Sequence, residues 1–441
     1  MTRTINLHDL SKLSADERRR LLTRTEADLG PTMAAIGPIV DRVREEGDRA
    51  LVRFAKEFDK ADIAASGIAA RPEDFDRAET ALEPSLREAM IFAADSIRRF
   101  HEAQMPEEMW LREIRPGAYA GDRIRPIPSV ACYVPRGKGA FPSVAMMTTI
   151  PAGVAGVRDV AIVTPPGPDG SIDAATLFAA RLAGVTRVYK AGGAAAVAAV
   201  AYGTQTVPKC AKIIGPGSLW VAAAKRLLSH VLDTGTPAGP SELIVLADED
   251  ADGRIAGLDL LVEAEHGPDS SAFLVTWSRK VADDAIAAIG GYWKEMSKQR
   301  VEFSAAVLSG PIGGVVVARD ETEAVAFVND YAPEHLEILS ADPFRYLGRI
   351  DNAGEILLGS HTPVTLGNFV IGPNHVLPTG GWARTASPVS VFDFMKRTSI
   401  AYVTSGAYPE LARHARVLAS YEGFDAHANA VSPIRDRLLD R

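Results

Sequence analysis

Apolar and polar residues follow one pattern before residue 129 and another after it. Up to about residue 128, apolar positions recur at helical spacing, as in MAAIGPIVDRVREEGDRALVRFAKEFD and SLREAMIFAADSIRRFHEAQM. The stretch SADERRRLL places Glu17 three residues after Ser14, which is the pattern of a capping box at the start of a helix. We therefore predict that the first 128 residues are mostly helical.

From residue 129, short runs rich in β-forming residues alternate with alanine-rich helical runs. Four such β-rich runs start 25 to 30 residues apart, at 159–166, 186–193, 211–217 and 241–248. This rhythm predicts βαβ units, and therefore parallel sheets covered by helices. Further along, the pattern predicts a helix at 254–265, a strand at 315–318 and helix again in the tail from 391. The Gly- and Pro-rich segment 366–390 is too long for a routine connection, which indicates a functional loop or a poorly ordered one.

Composition narrows the function classes. The chain has 441 residues, enough for two or three domains, and its net charge of −8 without a Lys/Arg-rich run argues against nucleic-acid binding. The N-terminus lacks the apolar segment of a signal peptide, and prolines break the apolar stretch 139–156, so we expect no membrane span. Two cysteines, Cys132 and Cys210, fit a reducing cytoplasm and are too few for a cysteine-based metal site. We expect a cytoplasmic protein whose metal, if it binds one, has His, carboxylate or amide ligands.

Several histidines are candidates for chemistry. His266 follows Glu263 at i, i+3, so a helix would project both from one face, as suits two metal ligands or a solvated pair. In YAPEHL, Glu334 and His335 are adjacent, and adjacent residues share neither a helix face nor a strand face. The pair is therefore either a loop accident or two groups directed at one reacting centre from a turn. His375, in the Gly- and Pro-rich loop, is either functional or structural.

One turn has the form of an anion site. Residues GPGS at 215–218 end a predicted strand and open a predicted helix with Ser218 as its N-cap. Such a turn presents free N–H groups to an anion. The glycines are equally explained by a tight turn, and the chain lacks the G-x-G-x-x-G motif, so both interpretations stay open.

Six segments resemble the histidinol dehydrogenase family in sequence, order and spacing. They are PAGPSELIVLAD (237–248), EAEHGPDSSAFLVT (263–276), NDYAPEHLEI (329–338), GPNHVLPT (372–379), SVFDFMKRTSI (390–400) and EGFDAHANAV (422–431). The resemblance implies an α/β fold with two Rossmann-like domains, whose parallel sheets are flanked by helices, plus a helical N-terminal segment and a helical C-terminal tail. The predicted divisions are an N-terminal segment at 1–30, a larger discontinuous domain at 31–128 plus 240–388, an inserted Rossmann-like domain at 129–239, and a tail at 389–441 exchanged at a dimer interface.

The resemblance also implies an activity. Members of that family are zinc-dependent, NAD-linked homodimers that oxidise a primary alcohol to a carboxylate in two hydride transfers. By resemblance, His335 is the general base for the alcohol, and Glu334 is the base that activates water to hydrate the aldehyde. The implied metal ligands are Glu263, His266, Asn368 and His427 of the partner subunit. The implied substrate contacts are Ser241, His375 and Glu422, and the implied nucleotide contact is Tyr133.

Some positions depart from the family pattern. The family has Gln and Asp where this chain has Glu263 and Asn368. The negative charge therefore moves from position 368 to position 263, and the total charge of the ligands stays the same. A Gln and an Asn that contact the nucleotide are replaced by Ala195 and Ser218. We therefore expect a paralogue that oxidises another small polar primary alcohol with NAD and Zn²⁺, with NADP and Mn²⁺ as alternatives. The other two hypotheses are a true L-histidinol dehydrogenase and a non-catalytic small-molecule-binding protein on the same scaffold.

A further departure adds a positive charge. The family's PGG after Tyr133 is PRG here, which introduces Arg136 into a loop with Gly137, Lys138 and Gly139. Two cations in a glycine-containing loop suit an anion, which would be a cofactor phosphate or an acidic group on the substrate. A solvated loop charge is the alternative.

Overall fold

The computed structural model describes residues 4–24, 29–136 and 139–439. Two compact units make up the chain. The first contains the residues up to Gln104 together with Ile127–Phe394, and the second contains Met105–Pro126 and the residues from Met395 onwards. Within the described ranges, none of the helices has both the length and the apolarity needed to cross a membrane.

The regular elements follow in chain order. The strands are β1 (Leu7–Asp9), β2 (Met109–Arg115), β3 (Ala118–Pro126), β4 (Ser129–Tyr133), β5 (Asp159–Thr164), β6 (Arg187–Lys190), β7 (Lys212–Ile214), β8 (Glu242–Ala247), β9 (Ser271–Thr276), β10 (Gly313–Val317), β11 (His335–Leu339), β12 (Glu355–Leu358) and β13 (Met395–Val403). The helices are α1 (Ala15–Leu21), α2 (Gly30–Glu46), α3 (Asp48–Phe58), α4 (Pro72–Ala81), α5 (Pro84–Ala103), α6 (Pro142–Val154), α7 (Ala174–Leu182), α8 (Gly193–Tyr202), α9 (Leu219–Leu228), α10 (Gly253–Ala264), α11 (Arg279–Tyr292), α12 (Lys298–Leu308), α13 (Glu321–Tyr331), α14 (Val364–Leu366), α15 (Tyr408–Tyr421), α16 (Asp425–Ala430) and α17 (Pro433–Leu439).

The larger sheet of the first unit has six parallel strands in the order β1-β10-β9-β8-β11-β12. Its central strands β8, β9 and β11 are buried along their whole length, because apolar clusters cover both faces. Leu243 packs with Leu260 of α10 on one face, and Ile244 packs with Tyr331 of α13 on the other. The predicted strand at 241–248, helix at 254–265 and strand at 315–318 are confirmed as β8, α10 and β10.

The smaller sheet of the first unit has four parallel strands in the order β6-β5-β4-β7. Strands β5, β6 and β7 confirm the three β-rich runs predicted between 159 and 217. Val40 of α2 and Leu51 of α3 share one apolar core with Ala131 of β4 and Val200 of α8. The prediction grouped residues 31–128 with the larger sheet, whereas α2 and α3 pack against the smaller sheet. The small side chains of the alanine-rich α8 allow α2 to pack closely there.

The second unit corrects the prediction of helix at both ends of the chain. It contains an antiparallel sheet in the order β13-β3-β2, together with α15, α16 and α17. Helix was predicted for β2, β3 and β13, and β1 in the predicted helical N-terminal segment is also a strand. Strand β3 pairs with β2 in a local hairpin and with β13 from the far end of the chain. Strand β2 is exposed along its whole length, so it lacks the alternation of apolar and polar residues that marks a strand.

Candidate active site

The Glu334–His335 pair lies where the chain enters the larger sheet. Ala332 follows the last residue of α13 and caps the helix with a φ of 53°, in the left-handed region, and His335 is the first residue of β11. A non-glycine residue in that region stores backbone strain of about 1–3 kcal/mol, which native proteins tolerate mainly near functional sites. The turn therefore directs both side chains into one buried space, as the catalytic interpretation of YAPEHL requires.

The site is built at the amino ends of the strands. Strands β8, β11 and β12 begin at Glu242, His335 and Glu355, and helix α10 ends nearby with Glu263 in its last turn. Doubly wound sheets usually bind ligands at the opposite, carboxyl edge. The negative end of the α10 dipole and these acidic side chains favour a cation at this edge.

His335 is oriented by a carboxylate on the neighbouring strand. His335 and Glu355 are register partners, and Glu355 Oε2 lies 3.0 Å from His335 Nδ1. Because a carboxylate accepts, Nδ1 carries the proton, and Nε2 is left 3.9 Å from an oxygen of both Glu334 and Glu263. Burial lowers the pKa of His335, but the Glu355 hydrogen bond and the surrounding carboxylates outweigh burial and raise it to about 9.

Glu334 is held through one of its two oxygens. The backbone N–H of Glu242 donates to Glu334 Oε2 at 2.8 Å, which leaves Oε1 towards His335. Burial raises the pKa of Glu334 well above 4.5, and the charge of Glu263 adds to this effect. A buried carboxyl group with a raised pKa is suited to proton transfer near neutrality.

An ion pair braces this arrangement from behind. Arg24 Nε donates to Glu242 Oε1 at 2.7 Å, and the backbone N–H of Gly380 donates to the same oxygen at 2.9 Å. The Arg24 guanidinium also lies 3.3 Å above the ring centre of Tyr331, the last residue of α13. The Glu242 carboxylate is thereby fixed through Oε1, while Oε2 is buried without a partner among the described residues, and the backbone N–H of Glu242 is fixed against Glu334.

Three of the four predicted metal ligands come together. Asn368 Nδ2 donates to Glu263 Oε1 at 3.0 Å, and His266 Nδ1 lies 3.1 Å from Glu263 Oε2. The predicted proximity of Glu263 and His266 is observed, although His266 lies two residues beyond the last residue of α10. Asn368 Oδ1 is buried without a hydrogen-bond partner among the described residues, which leaves a carbonyl oxygen free for a cation.

The predicted metal ligands do not form a cluster of acidic residues and histidines alone. In the described part of the chain, no group of three or more His, Cys, Asp or Glu side chains is arranged to hold a metal ion. One predicted ligand is the amide of Asn368, and another, His427, belongs to the second unit. His427 is exposed on α16 against the ring of Phe424, and Glu422 is exposed at the end of α15. Their roles stay predictions. The oxygen and nitrogen donors of Glu263, His266 and Asn368 fit a zinc ion.

Two predicted substrate contacts border the same space. Burial raises the pKa of Glu263, but its polar neighbours lower that pKa by more. These neighbours are His266, His335, the Asn368 amide and the hydroxyl of Ser241, which donates a hydrogen bond. His375 Nδ1 lies 2.6 Å from the carbonyl oxygen of Asn368, so Nδ1 carries the proton.

The second ring nitrogen of His375 is therefore an unused acceptor. Within the described chain, His375 Nε2 is buried without a partner, and burial lowers the pKa of His375 to about 4. A neutral imidazole with one free lone pair can accept a hydrogen bond from a substrate hydroxyl or ammonium group.

A second pair of buried carboxyl groups lies next to the site. Glu337 is two residues beyond His335 on β11, and Asp259 is one helical turn before Glu263 on α10. No N–H donor among the described residues reaches Asp259 Oδ2 or either Glu337 oxygen. Burial raises the pKa of both groups, and their mutual repulsion raises that of Glu337 further. A shared proton is the simplest way to satisfy these oxygens.

The predicted nucleotide contacts line a separate cavity in the first unit. Tyr133, Arg136, Ala195 and Ser218 all border a space of about 400 Å³. Ser218 is the N-cap residue of α9, as predicted, although its side chain makes no capping hydrogen bond. The turn before Ser218 requires glycine at position 215, because a Cβ there would lie 2.2 Å from the carbonyl oxygen of Tyr133. The cavity is therefore shaped by close backbone contact.

Arg136 is held at the edge of this cavity. Its Nη1 donates to the carbonyl oxygen of Ser171 at 3.1 Å, and its charge helps lower the pKa of Asp169 after the hydrogen bonds from Ser171. The guanidinium is thus partly fixed rather than freely solvated. Gly137 and Lys138 of the predicted anion loop lie outside the described residues.

Sequence reasoning missed four residues that complete these two sites. They are Arg24, Glu242 and Glu355 around the Glu334–His335 pair, and Asp59 in the nucleotide cavity. The first three act through contacts with residues distant in sequence, and Asp59 only lines the cavity, so none belongs to a local motif. A weak signal exists only for Glu242 and Asp59, since each is a charge within or directly after an apolar stretch.

Comparisons with known proteins extend over both units. A model of the protein family described as histidinol dehydrogenase matches residues 22–435. The protein named histidinol dehydrogenase homolog 2 from Mesorhizobium japonicum is 62% identical over 435 residues and covers 99% of each chain. Histidinol dehydrogenase from Synechocystis sp. is 46% identical over 439 residues, covering 100% of each chain. The crystal structure of histidinol dehydrogenase from Elizabethkingia anophelis has a TM-score of 0.91 at 30% identity and covers 99% of each chain.

Proposed function

Because the chain belongs to the histidinol dehydrogenase family, whose members oxidise an alcohol to an acid with NAD, we propose that it oxidises a small polar primary alcohol other than L-histidinol. The overall reaction converts R–CH₂OH, water and two NAD⁺ into R–COO⁻, two NADH and three protons. The observation that carries the proposal is the Glu334–His335 pair, buried and oriented by Glu242 and Glu355 beside a rewritten set of metal-binding side chains.

The side chains have separate tasks in this reaction. When bound, NAD⁺ supplies the hydride acceptor, and zinc held by Glu263, His266 and Asn368 supplies positive charge that polarises the substrate oxygen. In the neutral form of the ring, which dominates only at alkaline pH because the pKa of His335 is raised to about 9, His335 Nε2 removes the hydroxyl proton while Glu355 holds the ring in one orientation. Glu334 then takes a proton from the water that hydrates the aldehyde.

The contact between Glu263 and Asn368 supports a substrate other than L-histidinol. The family's Gln and Asp at these positions would form the same amide–carboxylate hydrogen bond with donor and acceptor exchanged. The exchange moves the negative charge from the π-helical turn Gly367–Ile371 to α10 without changing its sum. A substrate with its cationic or polar groups in another position is favoured as a result.

L-histidinol is the second candidate substrate. The 46% identity with histidinol dehydrogenase from Synechocystis sp. over the whole chain favours it. The two candidates are separated by measuring NAD(P)H production from amino alcohols, diols and L-histidinol, with both NAD⁺ and NADP⁺ and after loading with Zn²⁺ or Mn²⁺. If L-histidinol has the highest kcat/KM of the panel, the paralogue proposal fails.

Two substitutions test the division of labour. His335→Asn should slow alcohol oxidation by about 10²-fold or more, whereas Glu334→Gln should mainly slow the step from aldehyde to acid. His361→Asn, at an exposed position, is the matched control and should leave both half-reactions unchanged. Equal loss of both half-reactions in both catalytic variants would contradict the assigned roles.

We also propose that the protein is a homodimer in which His427 and Glu422 complete the partner's site. In support, the second unit exposes a set of large apolar side chains: Trp110, Ile114, Val417, Leu418, Tyr421 and Phe424. Such a surface is typical of an interface rather than of a solvated face.

A mixed-dimer experiment tests this arrangement. Subunits with His335→Asn and subunits with His427→Ala should each have very low activity alone. Refolded together, half of the dimers are mixed, and each of those has one intact site only if His427 acts on the partner. About a quarter of the parent activity is then expected. No recovery, or an active monomer by light scattering, would contradict the proposal.

A further inference from the structure

Asp59 is the one carboxylate that lines the nucleotide cavity among its described residues. It follows the last residue of α3, and its surroundings are mainly aromatic and small apolar side chains. Phe54 and Phe58 stack on each other with ring centres 5.4 Å apart, and Ala195 lies on the same cavity. No described residue donates a hydrogen bond to the Asp59 carboxylate or forms an ion pair with it.

An unpaired carboxylate in this position is unfavourable for the folded chain. Burial raises the pKa of Asp59 to about 6, so the charged form is disfavoured in the native state. Proteins usually pair such groups, and a group left without a partner in a cavity is a candidate for ligand contact. The missing partners are hydrogen-bond donors, because an ionised carboxylate can only accept.

The backbone next to Asp59 is shaped for close approach by a ligand. Gly192 and Gly193 follow β6 and open α8, and both line the cavity. A Cβ on Gly192 would lie 3.2 Å from Asp59 Oδ1 and 3.0 Å from Pro165, so glycine keeps this corner open. A glycine turn that opens a helix beside an acidic side chain is an arrangement suited to a dinucleotide, whose ribose hydroxyls are donors.

We infer that Asp59 accepts hydrogen bonds from the ribose hydroxyls of the dinucleotide and thereby selects NAD⁺ over NADP⁺. The inference rests on the proposed function, in that it takes this cavity as the dinucleotide site. A 2′-phosphate would bring a second negative charge to the carboxylate. Arg136, the one cation lining the cavity among the described residues, is already engaged with Ser171.

The test measures binding without turnover. ADP-ribose and its 2′-phosphate are titrated calorimetrically into the parent, Asp59→Asn and Glu57→Gln. Glu57→Gln removes the same charge from an exposed position on α3, outside the cavity. The parent and the control should prefer ADP-ribose by tenfold or more. Asp59→Asn should lose about tenfold on ADP-ribose, and its preference should shrink by a similar factor. Its melting temperature should equal or exceed that of the parent, because it relieves an unpaired charge.

The outcomes separate the inference from the proposed function. If the parent binds ADP-ribose and Asp59→Asn binds both probes as the parent does, the inference about Asp59 is wrong and the dinucleotide site stands. If the parent prefers the 2′-phosphate, the inference about Asp59 is also wrong, and the proposed dinucleotide site again stands. If the parent binds neither probe, the proposed function fails and the inference with it.

Discussion

The contact between Glu263 and Asn368 allows a direct test of the metal centre. Both side chains are almost fully buried, and the Asn368 amide donates to the Glu263 carboxylate at 3.0 Å. Exchanging carboxylate and amide restores the same pair with the opposite polarity. We therefore expect strong coupling in a cycle of Glu263→Gln, Asn368→Asp and the double variant.

The magnitude follows from charge and distance. Asn368→Asp alone sets two buried carboxylates about as close as the present contact. At an effective dielectric constant of about 20, like charges about 4 Å apart repel by about 4 kcal/mol. Glu263→Gln alone exchanges a charge-assisted hydrogen bond, worth about 1.5–3 kcal/mol, for an amide–amide bond. The double variant removes the repulsion, so we expect a favourable coupling free energy of about 2–4 kcal/mol.

Urea denaturation of chelator-treated protein measures the free energy of unfolding for the four proteins. Elemental analysis after zinc saturation and desalting then gives their metal content, which should fall in Glu263→Gln and recover in the double variant. Glu302→Gln, exposed on α12, is the control for loss of one carboxylate. If the double variant equals the sum of the single variants within about 0.5 kcal/mol, the contact is not coupled. A parent protein that retains no divalent metal would refute the metal centre itself.

Three further predictions concern the surroundings of the site. Glu355→Gln should lower kcat for alcohol oxidation about 10–100-fold with little change in KM, because the catalytic imidazole loses its orienting carboxylate; steady-state kinetics measures this. Glu337→Gln should stabilise the protein relative to the parent, and increasingly as the pH rises above 4.5. The raised pKa of Glu337, caused by burial and by Asp259, makes parent stability fall with pH there; urea titrations at several pH values measure the difference. Arg24→Met should cost about 3–5 kcal/mol by leaving Glu242 buried and unpaired, which the same titrations would detect.

Much of the first unit was predictable because its signals are local. The alternation of β-rich and alanine-rich runs located β5, β6, β7 and β8 close to their observed positions. Strands β9 and β11 were not predicted, although they are as fully buried as β8, and β11 carries the charged residues His335 and Glu337 within its five residues. The sheet of the second unit was missed because β2 is exposed along its whole length and β13 along most of its length, so neither alternates between apolar and polar residues.

The candidate site divides in the same way. The relation of Glu263 to His266 depends on helical spacing alone, and it was predictable from the residues. The contact of Asn368 with Glu263 and that of Glu355 with His335 depend on which strands and loops become neighbours. No pattern within a window of the sequence contains that information, so family resemblance supplied Asn368 and nothing supplied Glu355.

The excess of buried negative charge connects the fold to the chemistry. Four carboxyl side chains, Glu242, Glu263, Glu334 and Glu355, are buried at the amino edge of one sheet, where the one arginine pairing with any of them among the described residues is Arg24. Buried carboxylates without compensating charge destabilise a fold by several kcal/mol each. Hydrophobic side chains at these positions would make the folded state more stable. We therefore infer that the acidic residues serve to bind a ligand rather than to stabilise the fold. A divalent cation bound as proposed beside Glu263 and Asn368 would offset that charge, and the exchange of carboxylate and amide would then preserve the centre as long as the sum stays constant.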